Sequence, residues 1–160
     1  MTNKYKDIKI LMTDCDGVLT DTGVYYGASG EMLKRFSIRD GMGVERLKTI
    51  SGIEVGIITG EGSKSVINRA KKLAIKELHL NIKDKKKILN EILEKKNYSF
   101  KNLAYIGDDV NDLEAINLSG LSACPSDAIE LIKESVDIVL NSKGGNGAFR
   151  EFCELIIKNK

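Results

Sequence analysis

Two short acidic clusters contain the residues of this chain whose types and spacing could carry out chemistry. The first holds Asp14 and Asp16, and the second, much later in the chain, begins at Asp108. Each follows an apolar run, 8–12 or 103–106, that predicts a buried strand. Carboxylates crowded at strand ends repel one another, and a hard cation such as Mg²⁺, which takes oxygen ligands, offsets that repulsion. The clusters therefore predict a Mg²⁺ site and phosphate chemistry.

Hydrolysis of a phosphate ester needs a nucleophile, a proton donor and positive charge near the phosphoryl oxygens. Asp14, at a strand end, can attack phosphorus to give an aspartyl phosphate. Asp16 lies where a turn can direct it to protonate the leaving group and then activate water, a role worth about 10²–10⁴-fold. Thr59 and the backbone amide of Gly60 can donate to phosphate oxygens. A lysine must complete the site, and the residues alone leave four candidates: Lys83, Lys85, Lys86 and Lys87.

Strands and helices that alternate along the chain predict how these residues meet. A β-branched run at 53–58 predicts another strand, and apolar residues at helical spacing separate the predicted strands. This order favours a Rossmann-like three-layer α/β/α fold with a mainly parallel sheet. Such sheets bind ligands at the carboxyl ends of their strands, where both acidic clusters and Thr59 fall.

One segment departs from this alternation. Residues 23–37 contain two strand-like arms around a Gly/Ser turn, which predicts a β-hairpin. The chain has no internal repeat, low-complexity tract or linker. We therefore expect a single domain over 1–160.

Composition excludes several classes of protein. A net charge of +2, with 42% hydrophobic and 30% charged residues, is typical of a globular protein and gives no support for nucleic-acid binding. The sequence contains no run long and apolar enough for a membrane span and no signal peptide, so we expect a cytoplasmic protein with no membrane partner. Three scattered cysteines, Cys15, Cys124 and Cys153, predict reduced thiols.

Three motifs in order resemble those of the haloacid dehalogenase-like phosphatases. They are Asp-Cys-Asp-Gly-Val-Leu-Thr-Asp at 14–21, Ile-Ile-Thr-Gly at 57–60 and Gly-Asp-Asp-Val-Asn-Asp at 107–112. The gaps between the motifs hold only scaffold elements, which leaves no room for the cap domain that many of these phosphatases carry. The resemblance covers nearly the whole chain and implies a capless enzyme of this type.

The resemblance also implies a role for each site residue. Asp14 would be the nucleophile and Asp16 the acid/base. Mg²⁺ would be bound by Asp14, the backbone carbonyl of Asp16 and Asp108, while Asp112 orients the metal shell. The family's spacing selects Lys85 as the lysine that binds phosphate together with Thr59 and Gly60.

The chain also resembles a narrower group, the capless phosphatases of 2-keto-3-deoxy sugar acids. This resemblance lies in the hairpin and in the segments 39–43 and 144–151. That resemblance implies a homotetramer whose subunits close each other's active sites, with the hairpin as the cover. The group includes phosphatases of 3-deoxy-D-manno-octulosonate 8-phosphate (KDO-8-phosphate) and of nine-carbon nonulosonate 9-phosphates. Three residues favour the nine-carbon branch, of the KDN or sialic type, and would bind the sugar acid: Glu61, Arg69 and Lys72. KDO-8-phosphate is the alternative substrate.

Two other classes of protein compete with this interpretation. A phospho-receiver signalling domain also combines acidic residues, Thr, Lys and Mg²⁺ on a parallel sheet. Its accepting aspartate ends the third strand, whereas the candidate nucleophile here ends the first. A non-catalytic interaction module would not need the complete set of acidic, hydroxyl and lysine side chains described above.

Overall fold

The structure is a computed structural model that describes residues 4–160. Its strands, in chain order, are β1 (Ile10–Thr13), β2 (Thr20–Gly27), β3 (Gly30–Phe36), β4 (Glu54–Ile58), β5 (Glu77–His79), β6 (Leu103–Ile106), β7 (Leu121–Cys124) and β8 (Ile138–Val139). Its α-helices are α1 (Lys4–Asp7), α2 (Ile38–Ser51), α3 (Lys64–Lys72), α4 (Lys85–Lys95), α5 (Leu113–Leu118), α6 (Glu130–Lys133) and α7 (Ala148–Asn159).

A parallel sheet of six strands in the order β5-β4-β1-β6-β7-β8 forms the centre of the molecule. β1 lies in the middle and pairs with β4 on one side and β6 on the other, so that Thr13 is level with Ile57 and Ile106. The loops that follow these three strands therefore start at the same edge of the sheet. The two acidic clusters and Thr59 lie in these loops.

Successive side chains of β1 enter different halves of the core because a strand alternates its faces. Leu11 packs in the cluster that contains Phe149 and Phe152 of α7. Ile10 and Met12 pack in a second cluster, with residues of α4, α5 and α6. Helices thus cover both faces of the sheet, and the predicted three-layer α/β/α class is confirmed.

The predicted hairpin is confirmed as the antiparallel pair β2 and β3, which forms a sheet of its own. Arg35 attaches it to the body of the molecule, since its Nη1 donates to the carbonyl of Gly145 at 3.3 Å and its Nη2 donates to Asn146 Oδ1 at 3.1 Å. The contact of Arg35 Nη1 with Asp21 Oδ2 at 3.0 Å lies within the hairpin and joins β3 to β2. Within residues 4–160, only α2 separates the hairpin from β4, and no cap domain is present.

Several boundaries differ from the sequence expectations. The hairpin spans 20–36 and not 23–37, and the strand predicted at 53–58 begins at Glu54. The first strand begins at Ile10, not at residue 8, and the predicted helix after the second acidic cluster begins as a 3₁₀ turn, Val110–Asp112. The turn forms because the side chains of Asp109 and Asp112 cap each other's backbone amides.

Among residues 4–160, no helix is both long and apolar enough to cross a bilayer. The expectations of a single domain and of a cytoplasmic location stay predictions.

Candidate active site

A cavity of about 310 Å³ opens at the carboxyl ends of β1, β4 and β6. It brings together six of the residues selected from the sequence, whereas four others are not part of its wall: Lys85, Asp112, Arg69 and Lys72. The residues that line it are Asp14, Asp16, Thr22, Thr59, Gly60, Glu61, Asp108, Asp109, Val110 and Asn111.

Asp14 is the first residue beyond β1, and its backbone amide donates to the carbonyl of Ile106 at 3.0 Å. Its side chain is buried, and its Oδ1 accepts from Lys85 Nζ at 2.8 Å. Lys85 opens α4, where Asp84 caps the helix by accepting from the amide of Lys87 at 2.9 Å. Of the four candidate lysines, Lys85 is the one whose ammonium contacts Asp14 in the described chain.

Asp112 is fully buried. Its Oδ1 accepts from Lys85 Nζ at 2.6 Å and from the Tyr105 hydroxyl at 2.6 Å. Its Oδ2 accepts from the amide of Asp108 at 3.1 Å. Because both oxygens already have donors, Asp112 is suited to hold Lys85 and the loop that carries Asp108.

Asp108 provides the clearest sign of an ion site. Its Oδ1 is buried and has no hydrogen-bond partner within residues 4–160. Carboxylate oxygens of Asp14, Asp108 and Asp112 lie within 4.8 Å of one another. A buried carboxylate oxygen without a donor is unfavourable, and an oxygen-seeking cation would satisfy it. The donor set fits Mg²⁺.

The turn at Gly17 lets Asp108 approach this closely. Gly17 has φ of +87°, in the region that glycine adopts without steric cost. A Cβ at this position would lie 1.9 Å from Asp108 Oδ2. A larger residue at Gly17 would push the carboxylate out of the site.

Negative charge in the cavity exceeds what Lys85 can offset. Burial and the neighbouring Asp112 raise the pKa of Asp14 to about 7, against the lowering effect of Lys85. Burial, Asp14 and Asp112 raise the pKa of Asp108 to about 8. Burial by itself lowers the pKa of Lys85, but Asp14 and Asp112 outweigh it and keep that pKa above its ordinary value.

Asp16 lies across the cavity and contacts the hairpin. Its Oδ2 accepts from Lys34 Nζ at 2.6 Å, and its Oδ1 accepts from the Thr20 hydroxyl at 3.2 Å. The sequence analysis missed Lys34, because it resembles its neighbour Arg35 and the other basic residues of the chain. Only the register of the hairpin separates the two: Lys34 is buried and Arg35 exposed.

Thr59 and Gly60 form the part of the wall that follows β4. The amide of Thr59 donates to the carbonyl of His79 at 3.0 Å, which joins this loop to the end of β5. The Thr59 hydroxyl oxygen accepts from the amide of Glu61 at 3.2 Å. Its own hydrogen can therefore point at an anion in the cavity.

The three residues selected for sugar binding occupy different environments. Glu61 is exposed at the rim of the cavity, and Lys72 is exposed at the end of α3. Arg69 donates through Nη2 to the carbonyl of Ser37 at 2.7 Å, and its guanidinium carbon lies 5.7 Å from the centre of the Phe36 ring. Arg69 thus joins α3 to the segment between the hairpin and α2.

Known proteins are similar to this chain over almost its whole length. The model of the haloacid dehalogenase-like hydrolase family matches residues 75–152. The 3-deoxy-D-manno-octulosonate 8-phosphate phosphatase KdsC of Salmonella typhi is 40% identical over 154 residues, which cover 96% of this chain and 81% of that protein.

Two solved structures superpose closely on this chain. The cobalt-bound deoxy-D-mannose-octulosonate 8-phosphate phosphatase of Haemophilus influenzae has a TM-score of 0.94 at 37% identity, over 98% of this chain and 91% of that one. The 3-deoxy-D-manno-octulosonate 8-phosphate phosphatase of Moraxella catarrhalis, in complex with magnesium, phosphate and KDO, has a TM-score of 0.94 at 38% identity, over 98% and 90%.

Proposed function

The chain belongs to the haloacid dehalogenase-like hydrolase family, and we propose that this phosphoric monoester hydrolase is a Mg²⁺-dependent KDO-8-phosphate phosphatase. The observation that carries the proposal is the cavity that collects Asp14, Asp16 and Asp108 at the ends of β1 and β6. Relatives named for this activity, similar over almost the whole chain, support the substrate.

The nine-carbon substrate that the sequence favoured has less support than its alternative. It rested on Glu61, Arg69 and Lys72, of which Arg69 is engaged with the Ser37 carbonyl. The relatives described above carry the name of the eight-carbon substrate. We therefore put the eight-carbon sugar acid first, and the contacts of these three residues with substrate stay a prediction.

In the proposed reaction, a carboxylate oxygen of Asp14 attacks phosphorus while Asp16 gives a proton to the leaving sugar oxygen. Asp16 then takes a proton from the water that hydrolyses the aspartyl phosphate. Lys85, the Thr59 hydroxyl and the Gly60 amide bind the phosphoryl oxygens. Mg²⁺, held by Asp14, Asp108 and the backbone carbonyl of Asp16, would offset the negative charge on the carboxylates and the phosphoryl group.

Release of phosphate from purified protein tests this substrate assignment. We expect kcat/KM for KDO-8-phosphate to exceed that for KDN 9-phosphate and N-acetylneuraminate 9-phosphate by about 10-fold or more, because extra substrate groups change selectivity by roughly 10–200-fold. Chelation of Mg²⁺ should stop turnover of all three. Preference for a nine-carbon ester would restore the other substrate, and absence of turnover on every ester would contradict a phosphatase.

We also propose a homotetramer whose hairpins help to close neighbouring sites, as the family resemblance implies. Four exposed large apolar side chains on the hairpin support it, because an interface would remove them from water. Their exposed fractions are 58% for Tyr25, 73% for Tyr26, 64% for Met32 and 48% for Leu33.

Sedimentation velocity tests the assembly. We expect the mass of four chains for the wild type and a smaller species for Tyr26→Asp, because a charge would have to be buried in the interface. Lys6→Asp, a charge change on α1, is the control and should sediment as the wild type does. A fully active wild-type monomer would contradict closure by neighbours.

A further inference from the structure

We propose that Lys34 is a positioning residue for Asp16, so that each hairpin takes part in proton transfer within its own subunit. The inference rests on the proposed function, in which Asp16 is the general acid/base. It differs from the role of the hairpin as a cover over a neighbouring site, because the contact lies within one chain. The observation that supports it is that Lys34 is buried and that its ammonium contacts the carboxylate of Asp16, which must face the substrate.

Lys34 is enclosed, and its ammonium contacts one acidic residue in the loop after β1 and one on its own strand. Its side chain is 1% exposed, and its Nζ lies 2.6 Å from Asp16 Oδ2 and 3.7 Å from Glu31 Oε2. Glu31 accepts in turn from the hydroxyl of Ser63, the residue that precedes α3. β3 therefore spans the space between the loop after β1 and the segment after β4.

The two oxygens of Asp16 are held unequally. Lys34 contacts Oδ2 at 2.6 Å, whereas the Thr20 hydroxyl reaches Oδ1 at 3.2 Å. The shorter, charge-assisted contact with Lys34 is the stronger one. A substrate can therefore displace the Thr20 hydroxyl from Oδ1 more easily than it can displace Lys34 from Oδ2. With Oδ2 fixed, Oδ1 is directed at the leaving-group oxygen, and orientation of this kind is what makes proton transfer efficient.

Attachment of the hairpin does not explain this lysine. Arg35, the next residue, already joins β3 to the body of the molecule through the carbonyl of Gly145 at 3.3 Å and Asn146 Oδ1 at 3.1 Å. Burying an ammonium is costly unless it is paired, and Lys34 is paired with a carboxylate whose side chain is still 26% exposed at the cavity. A buried ammonium paired with a partly exposed carboxylate can fix the orientation of that carboxylate, which here is Asp16.

The test compares two esters that differ in their need for an acid. Phenolate leaves poorly unless it is protonated, whereas p-nitrophenolate leaves without help. We expect Lys34→Met to lower kcat/KM for phenyl phosphate by about 10- to 100-fold and for p-nitrophenyl phosphate by less than about 3-fold, within the range of general acid catalysis. Lys34→Arg should recover part of the loss on phenyl phosphate, because it restores a cation.

A purely structural role would lower both rates equally, and that outcome would overturn the inference. Arg35→Met is the matched control: it removes an anchor of the same strand without touching Asp16, and should leave the ratio of the two rates unchanged. The same selective loss in Arg35→Met would also overturn the inference. Lys34→Gln supplies the same comparison where Lys34→Met does not fold.

The same experiment distinguishes a failure of the proposed function from a failure of the role proposed for Lys34. A wild-type protein that hydrolyses both aryl esters but not KDO-8-phosphate removes the substrate assignment, and the ratio of rates still decides the role of Lys34. A wild-type protein inert toward all three esters overturns the phosphatase proposal and this inference with it.

Discussion

Asp14→Asn is expected to lower kcat by about 10⁴-fold or more, the size of loss that follows removal of a catalytic nucleophile. Asparagine has the shape of aspartate, but its amide cannot form the aspartyl phosphate. Its Oδ1 can still accept from Lys85, which contacts Asp14 at 2.8 Å. The fold should therefore persist, since Lys85 also keeps its 2.6 Å contact with Asp112.

Three measurements check this expectation. Circular dichroism and thermal unfolding report whether the variant is folded, and acid quenching during turnover of a ³²P-labelled ester reports whether the protein becomes phosphorylated. Labelled protein should appear with the wild type and not with the variant. Asp84→Asn makes the same exchange at the residue before Lys85, where asparagine caps a helix equally well, and should keep its activity. Turnover by Asp14→Asn close to the wild-type rate would remove the nucleophile assignment.

Asp108→Asn is expected to abolish both turnover and stabilisation by Mg²⁺. At a free concentration of 100 times Kd, a ligand stabilises the folded state by about 2.7 kcal/mol, which raises Tm by about 5–11 °C for a chain of this size. The variant should lose this shift. It should also unfold at a higher temperature than metal-free wild type, because Asp108 adds charge to a site whose carboxylates already repel one another.

The pH dependence supplies a second readout for the same site. Unfolded aspartates have a pKa of about 3.9, whereas the folded protein raises those of Asp14 to about 7 and Asp108 to about 8. Their contribution to stability is present at low pH and is lost as the pH rises through these two values. Without Mg²⁺, Tm should fall as the pH rises from about 4 to about 8 and then level off, and the shift produced by Mg²⁺ should grow over the same interval.

Asp109→Asn is the control, because it changes the next residue and leaves the cap of the 3₁₀ turn in place. It should keep the Mg²⁺-dependent rise in Tm. An equal rise in Asp108→Asn would show that the ion binds elsewhere.

The sequence predicted those parts of the site that are local in the chain. Asp14 and Thr59 each follow an apolar run, and the ends of parallel strands meet by topology alone. The hairpin was predictable from its turn, and its register was not. Whether Lys34 or Arg35 faces inward depends on how β2 and β3 pair, and that pairing contains register shifts.

Side-chain contacts between different helices, strands and loops could not be predicted from the sequence. Tyr105 looked like one more apolar residue of β6, yet its hydroxyl bonds to Asp112 at 2.6 Å. Arg69 was selected for sugar binding, and the fold directs its guanidinium to the carbonyl of Ser37, the residue between the hairpin and α2. A charge on a helix carries no local mark that distinguishes a substrate contact from a bond to a neighbouring backbone carbonyl.

The central position of β1 has a consequence for biosynthesis. β1, at Ile10–Thr13, is completed early, but one of its two neighbours is Leu103–Ile106. Pairing of segments so distant in sequence is slow, because the entropy of closing a long loop is lost before the strand contacts can compensate for it. A nascent chain carries Asp14 long before Asp108 is translated. The hydrolytic centre therefore arises near the end of synthesis, and fragments released prematurely by the ribosome lack half of its carboxylates.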